Sequence, residues 1–172
     1  MIEKYNPKHE LDLLDYVQRF GSKELYLTEN KIRIPVTNKI LLKKFINNSK
    51  LVYVKTEKGD VCGVLIRWTS NSENVKREYI KLSAINVKDA GDLLTIMIWE
   101  TKTDLYIKVD NNSHLMPALL EKGFRFFAGR GEQILMKRQF IYVSKSDDSR
   151  DKNKKPFRRF QQNDTRPVHI RQ

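Results

Sequence analysis

The stretch that decides the fold is residues 105–124, Leu105-Tyr106-Ile107-Lys108-Val109-Asp110-Asn111-Asn112-Ser113-His114-Leu115-Met116-Pro117-Ala118-Leu119-Leu120-Glu121-Lys122-Gly123-Phe124. Its opening, Leu105 to Val109, is apolar enough for a buried strand. Asp110 to Ser113 is a turn whose side chains can cap a helix from His114 to Lys122. Gly123 stands where a helix stop favours a residue free to take positive φ. A strand, a short helix and a fresh strand from Phe124 predict a strand-helix-strand unit laid on a sheet.

Working towards the N-terminus, Asp92 to Thr101 is apolar almost all round (Leu93, Leu94, Ile96, Met97, Ile98, Trp99), which predicts a helix buried against that sheet. Asp89 is the expected cap of this helix. Before it the apolar period is two: strands at 51–56, 61–69 and 78–85, with a hairpin at 57–60 turned by Gly59 and a polar loop at 70–76. Further back, Leu11, Leu14, Tyr16 and Val17 recur at helical spacing over 9–20, and Ile40, Leu41 and Phe45 do so in a second helix capped by Thr37. Residues 24–34 read as a short strand or loop ended by Pro35. Towards the C-terminus, 124–128 and 133–137 form a closing hairpin around Gly129-Arg130-Gly131. The order predicts an α/β (α+β) fold. Its mixed sheet begins with an antiparallel meander, followed by strand-helix-strand and the closing hairpin, with helices on both faces.

The chain has 172 residues, 40% of them hydrophobic, which suits one domain. We divide it into a domain over 1–143 and a tail over 144–172. Residues 145–172 hold nine Lys or Arg against four Asp and almost no aliphatic residue, too polar to bury the surface that folding requires. One cysteine, Cys62, excludes a disulfide framework or a cysteine-built metal cluster, and its apolar neighbours predict a buried thiol. His9, His114 and His169 show no metal-ligand spacing. The N-terminus has no apolar signal segment and no run reaches bilayer length, so we expect a cytoplasmic protein without membrane association. If the source is a phage or virus, the compartment becomes the host cytoplasm or the virion. Small size and a composition rich in Lys (21 against 12 Arg) and Asn suit such a source.

The net charge of +12 and a pI near 9.8 point to an anionic partner. Nucleic acid and an acidic protein surface, in a larger assembly, are the classes this leaves open. Candidate contacts on the domain are Lys39, Lys43, Lys44, Lys50 and Arg130. On the tail they are Lys154, Lys155, Arg158 and Arg159, interleaved with Phe157 and Phe160, a mixture that suits base stacking or docking in a groove.

The element order, the strand 105–109, the asparagines Asn111 and Asn112 after it, and the helix ending Leu119-Leu120-Glu121-Lys122-Gly123-Phe124 resemble the GNAT (Gcn5-related N-acetyltransferase) superfamily over residues 8–140. The resemblance implies an acetyl-CoA site. A Gln/Arg-x-x-Gly-x-Gly/Ala loop after the meander would aim backbone N–H groups at the cofactor pyrophosphate, helped by the helix dipole. Here that stretch is Asn86-Val87-Lys88-Asp89-Ala90-Gly91-Asp92-Leu93. If acetyl-CoA binds, Val87, Lys88, Ala90, Gly91 and Asn111 are the residues that would hold it. Only one glycine remains, and Asp89 and Asp92 stand where phosphates would sit, a repulsion that Lys88 can partly offset. The family often places a tyrosine general acid where this chain has Leu119. Tyr106 and His114 are the nearby groups able to move a proton, His114 with a suitable intrinsic pKa, and Glu78 and Tyr79 lie where the family sometimes has a base. Two readings follow. The first is a non-catalytic binding or assembly component without cofactor, and the alternative is an N-acetyltransferase moving acetyl from acetyl-CoA to an amine. The shape of 86–92 and of the gap beside it discriminates between them.

Overall fold

The computed structural model describes residues 1–21, 23–29, 32–72 and 75–141, with the side chains of Ser72 and Arg130 left aside. In chain order the elements are β1 (Ile2–Lys4), α1 (Glu10–Tyr16) entered by a 3-10 turn and left by a π turn, β2 (Tyr26–Glu29), β3 (Ile32–Pro35) and α2 (Lys39–Asn47). The meander β4 (Leu51–Glu57), β5 (Asp60–Ser72) and β6 (Val75–Ala84) follows. Then come α3 (Val87–Glu100), β7 (Leu105–Asp110), α4 (Met116–Glu121), β8 (Arg125–Arg130) and β9 (Gln133–Arg138). Seven strands form one sheet in the order β1-β4-β5-β6-β7-β9-β8, while β2 and β3 pair separately as a hairpin. All neighbours in the large sheet are antiparallel except β6 and β7, which are parallel.

Helices cover both faces. On one face, Leu93, Leu94 and Met97 of α3 and Ala118 and Leu119 of α4 pack on Leu65, Ile80, Leu82, Leu105 and Ile107. On the other, Leu13, Tyr16, Val17, Leu42 and Phe45 pack on Val52, Val54, Val64 and Ile66. Strands buried on both sides are apolar at nearly every position, which is why β4 and β5 read as continuous hydrophobic runs. The expected mixed sheet, meander, strand-helix-strand unit and closing hairpin are all present. Gly123 ends α4 with φ +85°, the positive-φ stop that its position predicts.

Several local expectations need correction. Asn38, not Thr37, caps α2: its Oδ1 accepts from Leu41 N at 2.9 Å. Within the stretch read as one short strand or loop, the described residues form two antiparallel strands, Tyr26–Glu29 and Ile32–Pro35. The polar stretch 70–76 is not a loop across its length, because the β5–β6 ladder continues to Ser72↔Val75. Backbone pairing sustains the ladder past the core, where Val75 is the one apolar residue in the stretch, too little to show a period. α3 starts at Val87, capped by Asn86, five residues before the expected start and without Asp89 as cap. It is also one-faced rather than apolar all round, since Trp99 is 84% exposed. β1, unforeseen, pairs with β4 from Ile2↔Lys55 to Lys4↔Tyr53. Cys62 is buried as expected. The residues from 142 onward, with the tail candidates Lys154, Lys155, Phe157, Arg158, Arg159 and Phe160, lie outside the described residues.

Candidate functional site

The sheet opens where the parallel pair β6–β7 ends. β6 and β7 are in register for three residues, Glu78↔Leu105 to Ile80↔Ile107. β6 then runs on to Ala84 and β7 to Asp110 with no further pairing. Such a splay exposes backbone groups that an extended ligand arm could use. In this chain the wedge is filled. Leu115, 1% exposed, packs with Leu82, Ile107 and Val109 in the core beneath it. Lys23 and Glu24 line it from the chain between α1 and β2. His114 Nε2 lies 2.9 Å from the Ala84 carbonyl oxygen, clipping the turn before α4 to the end of β6. About 30 Å³ stays open among these side chains, room for one or two water molecules. Burial pushes the Glu24 carboxyl above its usual range, against the opposing pull of its own backbone N–H and of His114.

At the start of α3, Asn86 Oδ1 accepts from Asp89 N at 2.9 Å, and Ala90 N donates to Asn86 O. Residues 86–92 are therefore a cap and the first turns of a helix, not a loop. Asp89 and Asp92, expected to stand where phosphates would sit, are both drawn onto one lysine. Lys55 on β4 reaches the start of α3 and places Nζ 2.6 Å from Asp89 Oδ1 and 2.6 Å from Asp92 Oδ2. The Asp89 side chain is 4% exposed and that of Asp92 49%. Lys55, rather than Lys88, neutralises the pair. Burial lowers the Lys55 pKa, but the hydrogen bonds to Asp89 and Asp92 outweigh it and hold it above the usual lysine value. Glu57, Cys62 and Asp89 also bring three potential ligand atoms within 4.8 Å of one another. The Lys55 ammonium already occupies Asp89, and burial pushes the Cys62 thiol up, so the trio disfavours a cation.

The large concavity lies on the α1/α2 face. A cleft of about 730 Å³ is walled by Tyr26 and Arg33 of the hairpin, Phe45 of α2, and Trp68, Tyr79 and Lys81 of the sheet. Period-two alternation puts Arg77, Tyr79 and Lys81 of β6 on this face, with Tyr106 and Lys108 of β7 beside them. Register places Trp68 opposite Tyr79 and Tyr79 opposite Tyr106. The rings form a row: Trp68–Tyr79 stacked at 5.7 Å, Tyr79–Tyr106 tilted at 5.6 Å, Tyr106–Phe127 edge-on at 5.5 Å. Phe127 joins it because the β8–β9 register shifts between Phe126 and Ala128, a bulge that re-aims one side chain. Cations crowd these rings. Arg33 lies 4.9 Å from the Tyr26 ring, and Arg77 and Lys137 each 5.6 Å from Tyr106. Lys81 Nζ sits 3.6 Å from the Tyr26 centroid and donates to the Tyr26 carbonyl. Burial, then the fields of Arg33 and Lys108, push the Lys81 pKa down to about 8.

Of the residues singled out from sequence, Tyr106 sits in this row, 8% exposed, and His114 is committed to the Ala84 carbonyl. Leu119 is wholly buried in the core. Glu78 projects from the face opposite Tyr79, bound by Lys50 at 3.1 Å and Thr69 at 3.0 Å, while Tyr79 lines the cleft. Val87, Lys88, Ala90 and Gly91 lie in the first turns of α3, and Asn111 N, just after β7, donates to Glu132 O in the turn of the closing hairpin. Lys39 and Lys43 both pair with Glu10, Lys44 with Glu29 and Lys50 with Glu78. None of these four lines the cleft. Arg130 lies at the end of β8, its side chain outside the described set. Sequence reasoning missed Arg33, Arg77, Lys81, Lys108 and the rings Tyr26, Trp68 and Phe127. The alternation of Arg77-Tyr79-Lys81 was the signal available for part of them.

No family model matches the sequence, and no curated protein matches it. Solved structures do. An acetyltransferase of the GNAT family from Streptococcus pneumoniae superposes with a TM-score of 0.64 at 14% identity, over 82% of this chain and 99% of that one. An N-acetyltransferase from Staphylococcus aureus Mu50 gives 0.60 at 12%, over 83% and 98%. The yncA structure from Salmonella typhimurium, which holds acetyl-CoA, gives 0.55 at 14%, over 84% and 96%. At these identities the likeness speaks for architecture, and the mixed seven-stranded sheet with helices on both faces is the fold of the GNAT acetyltransferases.

Proposed function

We propose that this GNAT-fold chain is a binding module for a polyanion and not an acyltransferase, with the cationic aromatic cleft as its ligand site. The observation that carries the reading is the filled splay. A cofactor arm running between β6 and β7 would have to displace Leu115 from the core and His114 from Ala84 O. The roughly 30 Å³ that remains fits water and not a pantetheine chain. The residues present do not fit acetyl-CoA, and no acyl-transfer step is assigned to them. Leu119 has no proton to donate, and Glu78 is held on the opposite face from the cleft. A net charge of +12 and a cleft lined with Arg33, Lys81 and Lys108 favour an anionic partner.

One observation favours the alternative N-acetyltransferase. With Asp89 and Asp92 drawn onto Lys55, the N–H groups of Val87 and Lys88 at the α3 start have no acceptor among the described residues. Isothermal titration of the full chain with acetyl-CoA decides between the two. We expect no saturable heat; micromolar binding would replace the binding-module reading with the enzymatic one.

A further inference from the structure

We infer that the cleft binds single-stranded nucleic acid, with bases stacked on the aromatic row and phosphates held by the cations around it. This names the partner of the site proposed above and rests on that reading. The row Trp68–Tyr79–Tyr106–Phe127 draws one ring from each of β5, β6, β7 and β8 on one sheet face, with successive centroids 5.5–5.7 Å apart. Trp68 and Tyr79 line the cleft, and Phe127 remains 45% exposed at the far end of the row. Aromatics standing on a sheet and flanked by Lys and Arg are the physical basis of sequence-tolerant single-strand binding, because every base has a π-face.

Charge placement agrees. Arg77 lies over Tyr106 and Arg33 over Tyr26, and Lys108 stands on the cleft wall. Among the described residues none of these three has a carboxylate partner, unlike the lysines of α2. Lys137 is shared between Asp104, at 2.7 Å, and the rings of Tyr106 and Phe127. An acidic peptide would engage the cations but leave the rings uncovered. A duplex keeps its bases stacked inside and cannot present them to rings recessed in a cleft.

The test uses the full chain carrying Trp99→Phe. The protein has two tryptophans, and Trp99 on α3 is 84% exposed, so this change leaves Trp68 as the sole reporter at little structural cost. An oligothymidylate or oligouridylate of about 15 nucleotides, near the upper size of a one-fold site, is titrated at low and moderate salt. We expect Trp68 emission to be quenched as the anisotropy of the labelled strand rises. Adding Phe127→Ala should weaken binding roughly tenfold or more, the range measured for loss of one stacked base. Adding Lys108→Ala should weaken it several-fold and flatten the salt dependence by about one phosphate contact. The inference is overturned if the strand binds with Trp68 emission unchanged, since it then sits elsewhere on the chain. It is equally overturned if a Phe127→Ala protein with native circular dichroism binds as well as its parent, or if a duplex or polyglutamate competes as effectively as the strand. Acetyl-CoA titration is independent of these readouts. Absence of both ligands removes only the nucleic-acid assignment, whereas acetyl-CoA binding removes the reading beneath it.

Discussion

Lys55 offers the sharpest energetic test, because one ammonium meets two carboxylates at the same 2.6 Å distance in different surroundings. The Asp89 side chain is 4% exposed and that of Asp92 49%, while Lys55 itself is 11% exposed. Coulomb energy at equal distance depends on the local dielectric, so the buried arm should carry most of the coupling. Removing one partner of a buried pair costs about 3–5 kcal/mol, since the remaining charge is stranded. Asp89 is poorly placed to tolerate that, because its Oδ2 already lacks a hydrogen-bond partner. Lys55→Met keeps the methylenes and removes the charge, and we expect it to lose about 3–5 kcal/mol. Urea unfolding followed by tryptophan fluorescence measures this, with an unchanged m-value certifying a two-state comparison. Double-mutant cycles should give a Lys55–Asp89 coupling of about 2–3 kcal/mol and a Lys55–Asp92 coupling below about 1 kcal/mol. Because the folded Lys55 pKa is raised, this stabilisation is complete below the ordinary lysine value and fades only as pH climbs through the folded one. Equal couplings to the two acids, or a loss under about 1 kcal/mol for Lys55→Met, would refute the reasoning that burial sets the strength of this contact.

Three further outcomes follow from the same geometry. The Lys81 pKa is lowered from 10.5 to about 8, so the unfolded chain binds more protons between those values and stability should rise with pH there. Relative to Lys81→Met, the wild-type protein should gain about 3 kcal/mol across that window, and parallel stability curves for the two proteins would contradict it. A Cβ added at Gly63 would lie 2.8 Å from Leu93 Cδ1 and 3.3 Å from Ser83 O, so Gly63→Ala should cost about 1–3 kcal/mol in urea unfolding by pushing α3 off the sheet. Burial raises the Cys62 thiol, so iodoacetamide should modify it at a rate set by unfolding, rising with urea in step with the fluorescence transition.

What was legible in the sequence is what local period encodes. The meander strands, the buried face of α3 and the β7–α4–Gly123 corner all announce themselves within a few residues, and those elements fix the sheet order. What was not legible depends on partners far along the chain. Lys55 looks like one polar position in an apolar strand until the fold brings it to Asp89 and Asp92. Asn86 and Asp89 are both competent caps, and the end of β6 at Ala84, not cap chemistry, chooses Asn86. β1 has three residues, too few to show a period, and exists because β4 would otherwise be an open edge. The aromatic row draws one ring from each of four strands, so it appears only when the register is known, and Phe127 enters it only through the β8 bulge.

The closing of the splay and the building of the cleft trace to one stretch of chain, and this shapes the last prediction. Residues 23–35 supply Lys23 and Glu24 to the gap between β6 and β7, then Tyr26, Leu27, Thr28 and Arg33 to the cleft wall. Lys81 joins the two halves, donating to the Tyr26 carbonyl while lining both spaces. The His114 clip is therefore the outermost of several closures and not the one that decides. His114→Ala removes a single hydrogen bond to Ala84 O at an exposed position and should cost about 0.5–1.5 kcal/mol. It leaves Leu115 in the core and Glu24 over the wedge, so acetyl-CoA should still give no saturable heat with this variant. Binding gained by that one substitution would mean the cofactor track survives intact beneath a histidine latch. The segment 23–35 would then be a regulator of an enzyme and not part of a binding surface.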